Sequence, residues 1–133
     1  MATLIDASVV IAAERGLLDW DDILAEHRAT AVAVAAITAS ELLHGVHRAT
    51  SGRIRARREA FVEQVLAGLP VIPFDLAIAR VHADIWAHLA MKGISVGAHD
   101  LLIGATALAT DSRIATRDDR SFPRIPGLDM VKW

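Results

Sequence analysis

The stretch TLIDASVVIA, residues 3–12, sets a short apolar run against an acid and then a run of small and aliphatic residues. Thr3 to Ile5 has the makeup of a buried strand, and Asp6 stands where the chain leaves it. Ser8 to Arg15 continues as a helix, with Gly16 as its stop. A strand that ends on an acid and runs directly into a helix is the opening of an α/β unit, and the rest of the chain repeats that order.

Asp19 to Arg28 is a second short helix, opened by acids that suit a helix N-terminus. Ala31 to Ile37, rich in valine and alanine, is a second strand, and Thr38 to Arg48 is helical. Gly52 to Leu69 is a further helix, with Ile54, Phe61, Val62, Val65 and Leu69 at near-helical spacing and Gly68 and Pro70 closing it. Val71 to Phe74 is a third strand. Asp75 is a ready N-cap for Leu76 to Met91, and Gly93 follows that helix as a stop. His99 to Thr110 is a helix whose Gly104, Ala105, Ala107 and Ala109 allow close packing on a sheet. Ser112 to Thr116 is a fourth strand, and Met130 to Trp133 a fifth, short edge strand. No repeat, linker or low-complexity segment interrupts this order. Strands alternating with helices favour an α/β sandwich with a mainly parallel central sheet. In such sheets, sites form outside the carboxyl ends of the strands, where Asp6 and Thr116 to Asp118 fall.

The 133 residues are one domain's worth, and 53% hydrophobic against 23% charged residues argues against disorder. With no cysteine, a disulfide framework and a thiolate zinc site are excluded. The N-terminus has no basic segment before its apolar run, and no apolar run has the length of a membrane span, so a soluble, cytoplasmic protein is expected. A net charge of −2 does not by itself mark a nucleic-acid binder, but of the 14 basic residues 12 are arginine, whose forks match carboxylate and phosphate. Arg48, Arg53, Arg55, Arg57 and Arg58 crowd one stretch, and Arg113, Arg117, Arg120 and Arg124 another. Each cluster is either a solvated surface or a phosphate-binding one.

Asp6, Glu41, Asp100 and Asp118 stand where the chain leaves a strand or starts a helix. Each also has a purely structural explanation. Asp6 can cap the helix after it, Glu41 can close a capping box with Thr38, Asp100 suits the first turn of its helix, and Asp118 can cap a turn. As a set they say more. If the first and fourth strands are neighbours, these acids converge. Carboxylates about 4 Å apart repel by about 4 kcal/mol per pair at an effective dielectric of about 20. A fold keeps such a cluster only with protons or cations to neutralise it. Oxygen-only donors suit Mg²⁺ or Mn²⁺, and such ions with nearby arginines suggest phosphoryl-transfer chemistry.

At these residues the chain resembles the PIN-domain nucleases and, among them, the VapC-type toxins of bacterial toxin–antitoxin pairs. LIDASVVIA is similar to the family's first motif, with Ala7 where threonine or serine is usual and Ser8 keeping the next hydroxyl. ITASELLHGVHRA resembles the second motif, with Glu41 as its acid, and GAHDLLIGATAL the third, with Asp100. IATRDDRSFPRIPGL resembles the C-terminal segment, typically T-R-N-x-x-D-F followed by P-G-L. The fourth acidic or amide position falls on Asp118, with Asp119 as the alternative, and the later Asp of the D-F pair is Ser121 here.

The resemblance covers essentially the whole chain. It implies one PIN domain over residues 1–133, a three-layer sandwich with a mainly parallel sheet of four to five strands flanked by helices. It implies an endoribonuclease dependent on Mg²⁺ or Mn²⁺ that cuts structured RNA, tRNA or rRNA, and so stops translation. It implies a homodimer, and a VapB-type antitoxin that can place a basic side chain in the acidic site. Asp6, Asp100 and Asp118 would be metal ligands. Glu41 would bind metal directly or through water and orient the nucleophile. Ser8, Thr116 and Asp119 are accessory candidates, and Arg117, Arg120, Arg53 and Arg57 are candidates for RNA phosphates. Water attack in line would leave 5′-phosphate and 3′-hydroxyl ends.

Rival readings are weaker on the residues. A PIN module acting only by binding RNA or protein sits poorly with four retained acids. A receiver domain needs an acidic pair near the first strand and a late lysine, and a dehalogenase-type site needs a second Asp where Ser8 stands. His44 and His47 lack a third ligand for zinc. His99 is expected to serve its helix end. Trp20, Trp86 and Trp133 are expected to pack, Trp86 with Leu89 in the core or at a dimer contact.

Overall fold

The computed structural model describes residues 1–133. The chain runs β1 (Ala2–Ile5), α1 (Ala7–Glu14), α2 (Trp20–Glu26), β2 (Val32–Ala35), α3 (Ala36–His47) and α4 (Gly52–Gly68). It continues β3 (Val71–Ile72), α5 (Leu76–Met91), α6 (Ala98–Ala109), β4 (Ser112–Thr116) and β5 (Met130–Lys132), with one 3₁₀ turn at Phe122–Arg124. The five strands form one sheet in the order β3-β2-β1-β4-β5, and every pairing is parallel.

β1 lies at the centre because Thr3, Leu4 and Ile5 are apolar or hydroxyl residues that can be buried on both faces. Their alternation assigns the two layers. Leu4 packs with Ile85, Leu89, Ile103 and Ile114 on the α5–α6 side. Ile5 packs with Val9, Val10, Leu42, Val46 and Val62 on the α1–α4 side. The chain moves outward from β1 through β2 to β3, then returns to pair β4 on the other side of β1, with Ile5 opposite Ala115. The strand order therefore reverses between β1 and β4. In an open parallel sheet this leaves a crevice beyond their carboxyl ends, where a site forms.

The expected elements are present with a few shifted edges. β2 stops at Ala35, and α3 begins at Ala36, two residues before Thr38. The alanines there favour helix once the ladder to the short β3 runs out. β3 ends at Ile72 and not at Phe74, because Pro73 has no N–H to give the ladder. Asp75 caps α5 as expected, accepting the Ile78 N–H at 3.0 Å. Gly93 ends that helix at φ +67°, a conformation open to glycine at little cost. The small residues of α6 serve two neighbours. Ala105 and Ala107 are fully buried, whereas a Cβ on Gly104 would stand 2.6 Å from Ile125 Cδ1 in the C-terminal segment. Trp86 is exposed, so it is not in the core with Leu89. Trp20 packs edge-on against Phe61, and Trp133 stacks on His27 at 4.0 Å. No helix is long and apolar enough to cross a membrane.

Candidate active site

Asp6 follows β1 directly, and its backbone N–H donates to Ala115 of β4 at 2.9 Å. Although Asp6 occupies the N-cap position of α1, its side chain makes no capping bond. The carboxylate is instead gripped from both sides. Ser8 Oγ donates to Oδ2 at 2.7 Å, and Thr116 Oγ1 donates to the same oxygen at 2.9 Å. Thr116 Oγ1 also lies 3.1 Å from the Asp118 carbonyl. Its single proton goes to the stronger acceptor, the carboxylate. Both hydroxyls are themselves fixed by the loop after β4. Ser8 accepts the Arg117 N–H at 2.9 Å, and Thr116 accepts the Asp118 N–H at 3.0 Å. Two short relays thus hold one face of a carboxylate that is 7% exposed.

Glu41 is an interior residue of α3, not the end of a capping box. The helix starts at Ala36 with no side-chain cap, and the Thr38 hydroxyl is buried without a partner. Glu41 Oε1 is likewise buried and unpartnered, while Oε2 lies 3.5 Å from His99 Nδ1 on α6. Burial, and next the Asp6 charge, hold the Glu41 carboxyl above its ordinary pKa, with His99 acting in the opposite sense. Asp100, in the first turn of α6, is also raised. Burial is the larger cause, the Ser121 hydroxyl opposes it, and the charges of Asp6 and Asp118 add to it. Glu41 on α3 thus feels the charges of Asp6 and Asp100, and Asp100 on α6 that of Asp6. The cause is the pairing of β1 with β4 and the packing of α3 against α6.

Asp118 lies at the rim. Arg120 takes both its oxygens, Nε to Oδ1 at 2.9 Å and Nη2 to Oδ2 at 2.8 Å. The Arg120 N–H adds a third bond at 3.1 Å. These bonds hold the Asp118 carboxyl below its ordinary pKa. Its charge reaches Asp100, and the neighbouring Asp119 is exposed and adds to the negative charge around Arg120.

No group of three or more His, Asp or Glu side chains is arranged to hold a metal ion between them. The donor chemistry nonetheless fits a hard cation. The oxygens of Asp6, Glu41 and Asp100 repel one another, and Glu41 Oε1 has no protein donor to satisfy it.

The arginines divide by their partners. In the C-terminal cluster all four are engaged within the chain. Arg113 donates to Thr3, Arg117 to the Trp133 carbonyl, Arg120 to Asp118 and Arg124 to the Ser95 carbonyl. On α4, Arg55 and Arg58 donate to the Ala49 and Gly45 carbonyls, and Arg58 also meets Glu14 at 3.5 Å. Arg53 and Arg57, one turn apart, are exposed and make no such bond. A groove of about 500 Å³ between α1, α3 and α4 is lined by apolar Val10, Leu42 and Phe61 and by charged Glu14, Arg15, Arg48 and Arg58, and reaches Glu41 and His99.

The sequence leads one to expect His99 to cap its helix. The cap position belongs to Gly97, and the ring of His99 points to Glu41. The signal for this lay in its place beside Asp100, on the first turn of a helix that packs on α3.

The PIN domain family profile matches residues 3–128. The ribonuclease VapC of Rickettsia bellii is 33% identical, with 98% of this chain and 96% of the relative covered. The tRNA(fMet)-specific endonuclease VapC of Salmonella typhimurium is 32% identical over 75% of this chain and 74% of its own. Among solved structures, VapBC-5 of Mycobacterium tuberculosis, a member of the VapBC family of toxin–antitoxin systems, superposes with a TM-score of 0.79 at 31% identity, covering 99% of this chain and 98% of that one.

Proposed function

Since the chain belongs to the PIN domain family and resembles VapC ribonucleases along nearly its whole length, we propose that it is a metal-dependent endoribonuclease toxin, held in check by a VapB-type antitoxin. The observation that carries this reading is that Asp6, Glu41 and Asp100 stand near enough beyond the carboxyl ends of β1 and β4 to act on one another through charge, with a buried Glu41 oxygen left unpartnered.

Asp6, Glu41, Asp100 and Asp118 would hold Mg²⁺ or Mn²⁺. When bound, such an ion neutralises the acids, makes water more acidic and stabilises negative charge on phosphate oxygens. The chain's own residues do the rest. Ser8 and Thr116 occupy Oδ2 of Asp6 and so aim its other oxygen outward. Glu41, biased toward holding a proton by burial and by Asp6, is suited to take a proton from attacking water once the acids' repulsion is relieved. His99 steadies its second oxygen. Exposed Arg53 and Arg57 give RNA phosphates a cationic approach. Water attack needs no 2′-hydroxyl, so preference for RNA, tRNA or rRNA, rests on binding.

An antitoxin segment fits the groove between α1, α3 and α4. Its apolar residues can seat aliphatic side chains, Arg15, Arg48 and Arg58 along it suit an acidic partner residue, and a basic side chain that reaches Glu41 would offset the acids' charge there. Exposed Trp86 on α5, which lines a mainly apolar groove with Ile94, Val96 and Leu102, suits a second copy of the chain and supports a homodimer.

The test is cleavage of total RNA by antitoxin-free protein with Mn²⁺ or Mg²⁺. Cuts that vanish with EDTA and in Asp6→Ala and Asp100→Ala support the reading. Cuts that persist in both variants refute the assignment, and folded protein that cuts under no metal favours a binding module.

A further inference from the structure

All three hydrogen bonds on the Asp118 carboxylate come from one residue, Arg120, two positions along the chain. Both oxygens are engaged by Arg120, two bonds on Oδ1 and one on Oδ2. Arg120 differs in this from the other arginines of its cluster, whose partners are backbone carbonyls or a threonine hydroxyl. The side chains of the pair are 85% and 37% exposed. An exposed ion pair is screened by water and held only weakly, so it opens at small cost. The Asp118 backbone is fixed separately, by its N–H on Thr116 Oγ1. Turning the carboxylate also releases the Arg120 backbone N–H, whose bond is exposed and can pass to water. Its charge already reaches Asp100.

We propose that Arg120 is a built-in counter-ion of Asp118, which a divalent cation displaces, freeing the guanidinium for an RNA phosphate. The proposal rests on the metal-dependent ribonuclease reading and adds to it an exchange. The fourth acid is neutralised by its own neighbour while the site is idle. With a cation bound, Asp118 would be one of the residues holding it and the Arg120 fork would be free for a substrate phosphate. A guanidinium suits both partners, since carboxylate and phosphate present the same paired-oxygen geometry.

Calorimetric titration with Mn²⁺ alone, without RNA, tests the first half. Arg120→Ala should bind Mn²⁺ about two- to fivefold more tightly than the unaltered chain, the range expected for loss of an exposed pair. In an Asp118→Asn background the same substitution should change Mn²⁺ affinity little, because no carboxylate remains to be released. An equal gain in that background would mean general charge repulsion and overturn the proposal, as would no gain in Arg120→Ala. Arg120→Lys, which keeps the charge but loses the fork, should fall between. For the second half, the KM for RNA in Arg120→Ala should rise severalfold while Mn²⁺ binding tightens. The salt dependence of RNA binding should also fall by about 0.7, one single-strand phosphate contact. A merely structural role would not move these two readouts in opposite directions, and an unchanged KM overturns the exchange. If the unaltered chain binds no Mn²⁺, the ribonuclease reading itself fails, and this proposal with it.

Discussion

Replacing Thr116 by valine removes one hydroxyl from the centre of the site and leaves its volume nearly unchanged. Thr116 is 4% and Asp6 7% exposed, so water cannot take over the lost 2.9 Å bond to Asp6 Oδ2. A hydrogen bond to a charged acceptor contributes about 1.5–3 kcal/mol. The Asp118 N–H also loses its acceptor, but it lies at the rim, where water can replace it. Because Ser8 still holds Oδ2 at 2.7 Å, the expected cost is about 2 kcal/mol, within the range for a charged acceptor. With an m-value of about 2 kcal/mol per molar, the urea midpoint of the cation-free protein should fall by about 1 M. The partner of the lost bond is identified by a double-mutant cycle. In an Asp6→Ala background, Thr116→Val should cost less than half as much. A cost below about 0.5 kcal/mol in the unaltered chain, the usual level for an unremarkable surface change, would refute the idea that Thr116 holds Asp6. So would an equal cost in both backgrounds.

Other expectations follow from the same contacts. Glu41 and Asp100 hold their protons to higher pH in the folded chain than in the unfolded one. Their stabilising contribution is therefore complete below the ordinary carboxylate range and is lost as pH rises through their raised values. Asp118 acts in the opposite direction, below the ordinary range, but its exposed pair contributes little. The melting temperature of cation-free protein should thus fall as pH rises from the ordinary carboxylate range, about pH 4, to about pH 7. Glu41→Gln with Asp100→Asn should flatten that difference, and a melting temperature that rises with pH in this window would contradict the account. Arg53→Glu with Arg57→Glu should weaken RNA binding and lower its salt dependence while leaving Mn²⁺ titration unchanged, because neither side chain has a partner in the fold. An unchanged salt slope would remove α4 from the RNA path. Gly104→Ala should cost about 1 kcal/mol, the low end for overpacking, since the added carbon meets the terminal methyl of Ile125 at 2.6 Å. Ile125→Val in the same chain should recover most of that cost in a denaturant titration.

Much of this architecture was legible in the residues because the decisive strands are short, apolar and bounded. Thr3 to Ile5 runs into an acid, Ser112 to Thr116 lies between turns, and glycines follow α1 and α5. Local patterns misled where a tertiary contact decided. Thr38 and Glu41 have capping-box spacing, yet β2 ends early and the helix starts at Ala36, which turns Glu41 into the site. Asp6 has the position of a cap, yet its carboxylate is held by the hydroxyls of Ser8 and Thr116. The pairing of β1 with β4, which brings the acids together, cannot be derived from either strand alone. The division of the arginines was equally out of reach. Arg55 and Arg57 are indistinguishable by sequence, but one reaches the Ala49 carbonyl and the other faces solvent.

The end groups of the cleaved RNA test the central claim most directly. Hydrolysis by water at an acid-held cation leaves 5′-phosphate and 3′-hydroxyl ends, and these should form only with Mg²⁺ or Mn²⁺ present and Asp6 and Asp100 intact. A 5′-hydroxyl with a 2′,3′-cyclic phosphate, formed without added metal, would mean attack by the RNA's own 2′-hydroxyl and would contradict the assignment of these carboxylates.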